Sequence, residues 1–374
     1  DTLSLIHPRT SSRTQASNYL STYLLAAILS GLLVIFTLLS WTLCFLNFSP
    51  AIYHDLLPIV CLIFLFITFI LQARRLFPSG RSLLLASFRR IMIGGLAQSK
   101  DGRFADVLLS DVLTSYAKVI ADLFVVFCMF FRTPSTSETA GPVRTCGGQY
   151  WVPIITAIPS LIRLRQCLIE FIRVQSAGGP GWGGQHLANA LKYASALPVI
   201  IFSILQRNMD LNHNNTHLTN QSINYCWLVS ILVNSLYSFY WDVAKDWDLS
   251  LFPALIQILP FPRHTTTSMR PNLIRSSKNC QFGLRPRLCF PSSDIYYMAI
   301  FFDLIIRFSW SLRLSSTMNK FINLESGILL LELAEVARRW VWMFLRIESE
   351  WIRQSEELSH VEIENLLAED NITY

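Results

Sequence analysis

Charge is scarce in this chain. Only 15% of its 374 residues are Asp, Glu, Lys or Arg and 52% are hydrophobic, whereas soluble domains carry about 25% charged residues. No charged side chain occurs between Arg13 and His54, and Tyr23–Leu46 is almost wholly apolar. Such a run is long enough to cross a hydrocarbon core roughly 30 Å thick, so the shortage excludes a water-soluble globule and points to a multi-pass membrane protein. The run is too long for a signal peptide and lacks a small-residue cleavage site, and residue 1 is Asp rather than Met.

The signatures of catalysis are missing too. None of the eight cysteines (44, 61, 128, 146, 167, 226, 280, 289) forms a C-x-x-C pair, and most lie in apolar runs, where buried free thiols are expected. There is no H-E-x-x-H or other metal-ligand spacing, no G-x-S-x-G, no Walker A motif and no Cys/His dyad. The reading is therefore not an enzyme, with no cofactor, no metal and no nucleic-acid partner. A G-x-G-x-x-G does occur at Gly179, Gly181 and Gly184. It follows Arg163, Arg165 and Arg173 at the end of one apolar run and precedes another, with no strand before it. A dinucleotide fingerprint needs that strand, so these glycines read as a connector.

What is present is a series of apolar runs, at roughly 22–46, 54–73, 106–131, 150–171, 186–206, 223–243, 294–314 and 324–346. The expected fold is an all-α transmembrane bundle of about eight spans. Basic residues crowd 74–103 and 244–293, the latter with Lys245, Arg263, Arg270, Arg275, Lys278, Arg285 and Arg287. The positive-inside rule places both segments, and with them both termini, in the cytosol. The opposite face receives 207–222 with two N-glycosylation sequons, at Asn214 and Asn220, which agrees independently. A third sequon at Asn371 falls on the cytosolic side, where it is unused. The chain divides into a cytosolic segment 1–21, an N-terminal hairpin with its basic loop 22–99, a transmembrane domain 100–350 and an acidic tail 351–374.

Polar side chains inside the runs carry the functional signal, because a charge at a helix centre costs about 2.5–3.5 kcal/mol and usually faces a bundle interior or a wet path. They are Asp111, Lys118 and Asp122; Arg163 and Arg165; His186, Asn189, Lys192 and Tyr193; Asp242; Asp303 and Arg307; Glu332, Glu335, Arg338 and Arg339. Asp303 with Arg307, and Glu335 with Arg339, are spaced i,i+4 and are expected to pair. Cations then outnumber the carboxylates facing them. Guanidinium groups with a lysine and a tyrosine hydroxyl suit an oxyanion such as phosphate. Trp241, Trp310, Trp340 and Trp342 read mostly as interface residues.

The stretches FADVLLSDVLTSY (104–116), PSLIRLRQCLIEF (159–171), HLANALKY (186–193), YSFYWDVAKDWDL (237–249), YYMAIFFDLIIRFSW (296–310) and LELAEVARRWVWMFLRIESE (331–350) resemble, in order and spacing, the EXS family. That family includes phosphate exporters that serve as xenotropic retrovirus receptors. The resemblance covers roughly residues 100–350 and implies inorganic phosphate as substrate. By motif it implies phosphate-site roles for Asp111, Lys192, Tyr193, Asp242, Arg307, Trp310, Glu335, Arg338 and Arg339, with Arg163 nearer the cytosolic mouth. Thr114 stands where the exporters have Asn, and its hydroxyl can still donate to phosphate. The long exporters begin with an SPX domain and nothing like it precedes residue 20, so the layout resembles the family's short Golgi member. That implies a Golgi membrane protein returning lumenal phosphate to the cytosol, with membrane lipids, Golgi glycosyltransferases or their sorting adaptors, and a second copy of the chain as partners. Two alternatives stand beside it: a sorting adaptor without transport, and a plasma-membrane exporter separated from its SPX domain. The endoplasmic reticulum is a further location.

Overall fold

The computed structural model describes residues 12–46, 60–65, 67, 78–94, 96–97, 102–132, 146, 150–177, 182–211, 217–258, 282–314 and 325–372. All regular structure among them is helical. In chain order the helices are α1 (Ser12–Phe45), α2 (Pro78–Arg89), α3 (Arg103–Ser115), α4 (Ala117–Arg132), α5 (Trp151–Ser176), α6 (Gly184–Ala194), α7 (Ala196–Leu211), α8 (His217–Trp241), α9 (Leu251–Ile258), α10 (Asp294–Arg307) and α11 (Glu325–Ile372). Short π-turns follow α2 and α8, and a 3-10 turn follows α10. By length and apolarity alone, Ala26–Leu43, Trp151–Ser176 and Gly184–Asn208 can each cross a membrane, and the bent pair α3–α4 is a fourth such segment.

Two compact units are present. The first comprises 3–110 and 120–156, and the second 111–119 and 157–374. In the first, Asp106 receives Arg90 through two bonds of 2.8 and 3.0 Å and the Ala97 amide at 3.0 Å. Basic residues 78–94, read as part of a loop, are therefore a helix tied down by one buried carboxylate. Cys128 and Cys146 form a disulfide, which corrects the expectation of free thiols for this pair. Cys61 and Cys167 are buried free thiols as expected, whereas Cys226 and Cys289 are free but exposed.

The second unit is packed inside out. Val233, Phe301 and Leu333 are 52%, 58% and 56% exposed, while Asp242 and Arg338 are 0% and 2% exposed. Apolar surface outside and charge inside fits a lipid surround, where hydrocarbon solvates the former and rejects the latter. Within this unit α7 runs antiparallel to α8, because Trp227 Nε1 donates to Ser203 Oγ at 3.1 Å while Gln206 Nε2 donates to Asn224 Oδ1 at 2.9 Å. Asn220 lies in the first turn of α8, and Asn214 falls outside the described residues.

Three local features position the site. First, the run 106–131 is not one straight span: α3 and α4 meet at 60° about Tyr116. Thr114 Oγ1 donates back to the Asp111 carbonyl at 2.7 Å, a bond that bends helices, and the Tyr116 amide closes the last turn onto Leu113. Second, Gly183 enters α6 at φ 71°, and its carbonyl accepts the His186 amide at 2.9 Å. Glycine suits that left-handed turn, where a Cβ would also lie 3.2 Å from Phe171. The first two glycines of the G-x-G-x-x-G lie outside the described residues; no strand occurs among the described ones. Third, α11 is 48 residues long, about 72 Å at 1.5 Å per residue and so more than twice the hydrocarbon thickness. The acidic tail continues this helix to Ile372 without a break.

Candidate functional site

The π-turn Asp242–Asp246 at the end of α8 supplies the centre of the site. Such turns widen a helix by one residue and often occur at functional positions. This one turns both Asp242 and Asp246 toward Lys192 of α6, with Nζ 2.9 and 3.6 Å from the respective carboxylates. Asp242 also receives Arg307 of α10 and, at 3.4 Å, Arg338 Nη1 of α11. The same Nη1 lies 2.8 Å from Asp303, which accepts Arg307 Nε at 3.2 Å in the expected i,i+4 pair. Arg338 completes its bonding on Glu335, with Nε at 2.8 Å and Nη2 at 2.5 Å. Three carboxylates thus surround one guanidinium.

A second layer lies beside it. Asp111 of α3 accepts Arg163 Nε of α5 at 2.7 Å and the Tyr193 hydroxyl of α6. Arg163 Nη1 donates to Gln166 at 2.7 Å, and its guanidinium carbon stands 4.9 Å above the Tyr193 ring. Lys192 approaches the same ring at 5.4 Å, so both cations have a π-face as well as a carboxylate. Ala190 and Cys167 are small enough to let α6 and α5 close against Tyr193.

Arg339 is different. Its Nε donates to Ser115 Oγ at 2.8 Å, its Nη2 to Thr114 Oγ1 at 3.2 Å, and its guanidinium carbon lies 4.5 Å from the Trp342 ring centroid. Among the described residues no carboxylate pairs with it, and its buried Nη1 has no hydrogen-bond partner. The residue is only 6% exposed. A buried donor on a charged group is costly when unmatched, and an anionic oxygen is the acceptor that best matches it.

These contacts revise two expectations. Glu335 does not pair with Arg339 at i,i+4; it pairs with Arg338 at i,i+3, and Ser115 donates to it at 2.8 Å while accepting from Arg339. Nor do cations outnumber carboxylates: Arg163, Lys192, Arg307, Arg338 and Arg339 stand among Asp111, Asp242, Asp246, Asp303 and Glu335. Arg346 also reaches Asp246, at 3.8 Å, and Glu350, at 4.0 Å, so carboxylates accompany the cations throughout, and Arg339 is the guanidinium held by neutral hydroxyls.

Of the residues singled out by motif, Lys192, Asp242, Arg307, Glu335, Arg338, Arg339 and Thr114 form one hydrogen-bonded set in the second unit and Asp111, Arg163 and Tyr193 a second, the two joined by Lys192 against the Tyr193 ring and by Thr114 on the Asp111 carbonyl. Trp310 is attached more remotely. Its Nε1 donates to Ser235 Oγ at 3.0 Å, and Ser235 donates in turn to the Arg307 carbonyl at 3.3 Å. Ser115, Gln166 and Asp246 are network members that sequence reading missed. Asp246, at i+4 from Asp242, was the most accessible to spacing alone; nothing about Ser115 marked it before α11 was placed opposite it.

Comparison with known proteins follows this geometry. The model of the EXS family matches residues 3–352. The chain is 30% identical over 273 residues to Protein ERD1 homolog 1 of Schizosaccharomyces pombe, covering 73% of this chain and 62% of that protein. It is 30% identical over 270 residues to Protein ERD1 of Kluyveromyces lactis, with 72% and 64% covered. Human Solute carrier family 53 member 1 is 27% identical over 273 residues, with 69% and 34% covered. The matches thus span less than two thirds of the length of these relatives.

Proposed function

The chain belongs to the EXS family, and from that premise we propose that it carries inorganic phosphate across a membrane through the Arg339-centred cluster. The single observation that carries the reading is the buried Arg339 Nη1, unmatched among the described residues and flanked by the Ser115 and Thr114 hydroxyls. A phosphate oxygen would take the open guanidinium nitrogen, a hydroxyl would rotate to donate, and Lys192 and Arg307 would attract the remaining charge from their places around Asp242. The balancing carboxylates keep those cations oriented and hold affinity down, since a transport site must release its ion. No step is covalent, and in the absence of an ATP-binding motif the phosphate gradient or the membrane potential drives the flux.

The proposed frame has eight spans with both termini in the cytosol. Basic segments 74–103 and 244–293 support one side and the sequons the other. The Cys128–Cys146 disulfide joins the end of the third span to the segment before the fourth, on the sequon side, where an oxidising lumen forms and keeps such bonds. The proposed location is the Golgi membrane, with phosphate moving from lumen to cytosol and the flux supporting glycosylation and retention of resident proteins. A second role in sorting glycosyltransferases draws on α11, which runs 26 residues beyond Arg346 to Ile372 and offers a rigid extension outside the membrane.

The test is radiolabelled phosphate uptake into sealed vesicles of known orientation holding the full chain. Uptake that depends on Arg339 supports transport; uptake equal to protein-free vesicles overturns it. Removing residues 357–372 separates the second role, which predicts normal uptake with mislocalised glycosyltransferases.

A further inference from the structure

One ion pair of the second unit stands apart from the buried cluster. Lys118 Nζ of α4 lies 2.5 Å from Glu332 Oε1 of α11, with the lysine side chain 44% exposed and the glutamate 16% exposed. Glu332 precedes Arg339 by seven residues, about 10 Å along the helix axis. On the facing side Lys118 follows the Thr114 and Ser115 hydroxyls that hold Arg339 by one turn. Between them is the 60° bend at Tyr116. Interrupted helices at membrane depth are tolerated where they line a polar cavity, and they mark binding sites in transporters. A half-exposed ammonium at that depth is stable where water reaches it, and unstable against hydrocarbon.

We propose that Lys118–Glu332 is the outer gate of the anion path: its ammonium receives the incoming oxyanion, and its carboxylate competes for that ammonium. The inference rests on the transport reading of the Arg339 site. With the pair closed, Glu332 neutralises Lys118 and presents negative charge to an approaching anion. An oxyanion bound to Lys118 displaces the carboxylate, and the next acceptor-matching group along α11 is Arg339. Restored pairing behind the ion disfavours its return. Neutral solutes gain nothing at either station, so the gate contributes to selectivity by charge.

The gate and a purely structural clasp predict different signs. In vesicles holding the full chain, Lys118→Met should raise the KM for inorganic phosphate about fivefold, the equivalent of a part-exposed charge contact of ~1 kcal/mol. Glu332→Gln should lower KM by a similar factor, because this carboxylate no longer competes for the ammonium. Glu332→Gln added to Lys118→Met should lower KM by less than Glu332→Gln does alone, since the carboxylate acts on the anion in part through the lysine. KM unchanged in both single variants, or shifted the same way in both, overturns the gate and assigns the pair to structure. Arg339→Gln is measured alongside. If it leaves flux intact, the transport site itself is wrong and the gate falls with it; if it abolishes flux while the KM shifts are absent, only the gate is refuted.

Discussion

Arg338 and Arg339 are chemically identical neighbours, yet their surroundings predict opposite consequences for replacing them. Arg338 touches two buried carboxylates, with 2.8 Å to Asp303 and 3.4 Å to Asp242, and at 2.5 Å a third, Glu335, whose side chain is 35% exposed. In Arg338→Met, Asp242 keeps Lys192 and Arg307, and Asp303 keeps Arg307, but Glu335 is left with the Ser115 hydroxyl alone. Removing one partner from a buried ion network costs about 3–5 kcal/mol, and because the stranded Glu335 is 35% exposed this variant falls at the low end of that range. Arg339→Met breaks two bonds to hydroxyls, at 2.8 and 3.2 Å, and orphans no carboxylate. It also removes a buried charge that neutral groups only partly compensate. The expected stability loss is ~1–2 kcal/mol. Thermal unfolding of the purified variants in detergent, followed by tryptophan fluorescence, therefore should show Arg338→Met melting several degrees below Arg339→Met. Flux in vesicles should show Arg339→Met inactive even though it is folded. An Arg339→Met protein that melts first, or that transports at the wild-type rate, refutes the assignment of one arginine to scaffold and the other to substrate.

Other consequences are accessible to simpler assays. Ser115→Ala removes the hydroxyl shared by Arg339 and Glu335; the loss of a buried acceptor for a charged donor is worth ~1–3 kcal/mol, read as a rise in phosphate KM with protein levels maintained. Gly183→Ala places a side chain at φ 71° and 3.2 Å from Phe171, so it should cost ~1–2 kcal/mol, measured as a lower melting temperature. Cys128 and Cys146 should resist alkylation until a reductant is added, and Cys128→Ser should lower stability by ~3 kcal/mol for a crosslink of separation 18. If the proposed orientation holds, glycosidase treatment should increase gel mobility, and Asn214→Gln together with Asn220→Gln should remove that response.

Much of this arrangement was visible as residue types at helical spacing. Asp303 and Arg307 meet as their i,i+4 positions require, because α10 is regular between them. The partner of Glu335 was not settled by spacing, since i+3 and i+4 both lie on its face; α3 decided it by offering Ser115 and Thr114 to Arg339. The bend at Tyr116 had no proline or glycine to announce it between residues 103 and 132; the local feature beside it is Thr114, which bonds back to its own helix. The disulfide was hidden because its cysteines are 18 residues apart with no motif. The length of α11 was hidden differently. Polarity changes after Arg346, which reads as leaving the membrane, yet between 325 and 372 there is no proline and a single glycine, so nothing stops the helix. The charge balance depended on Asp246, which the π-turn swings toward Lys192.

The central claim is that an oxyanion binds where Arg339 Nη1 faces no acceptor among the described residues. Its most direct test is the melting temperature of the purified chain as inorganic phosphate is raised, since a ligand at 100 times its Kd stabilises the folded state by about 2.7 kcal/mol. The account predicts a phosphate-dependent rise in the native chain and in Glu332→Gln, and none in Arg339→Gln. An equal rise in Arg339→Gln would contradict it.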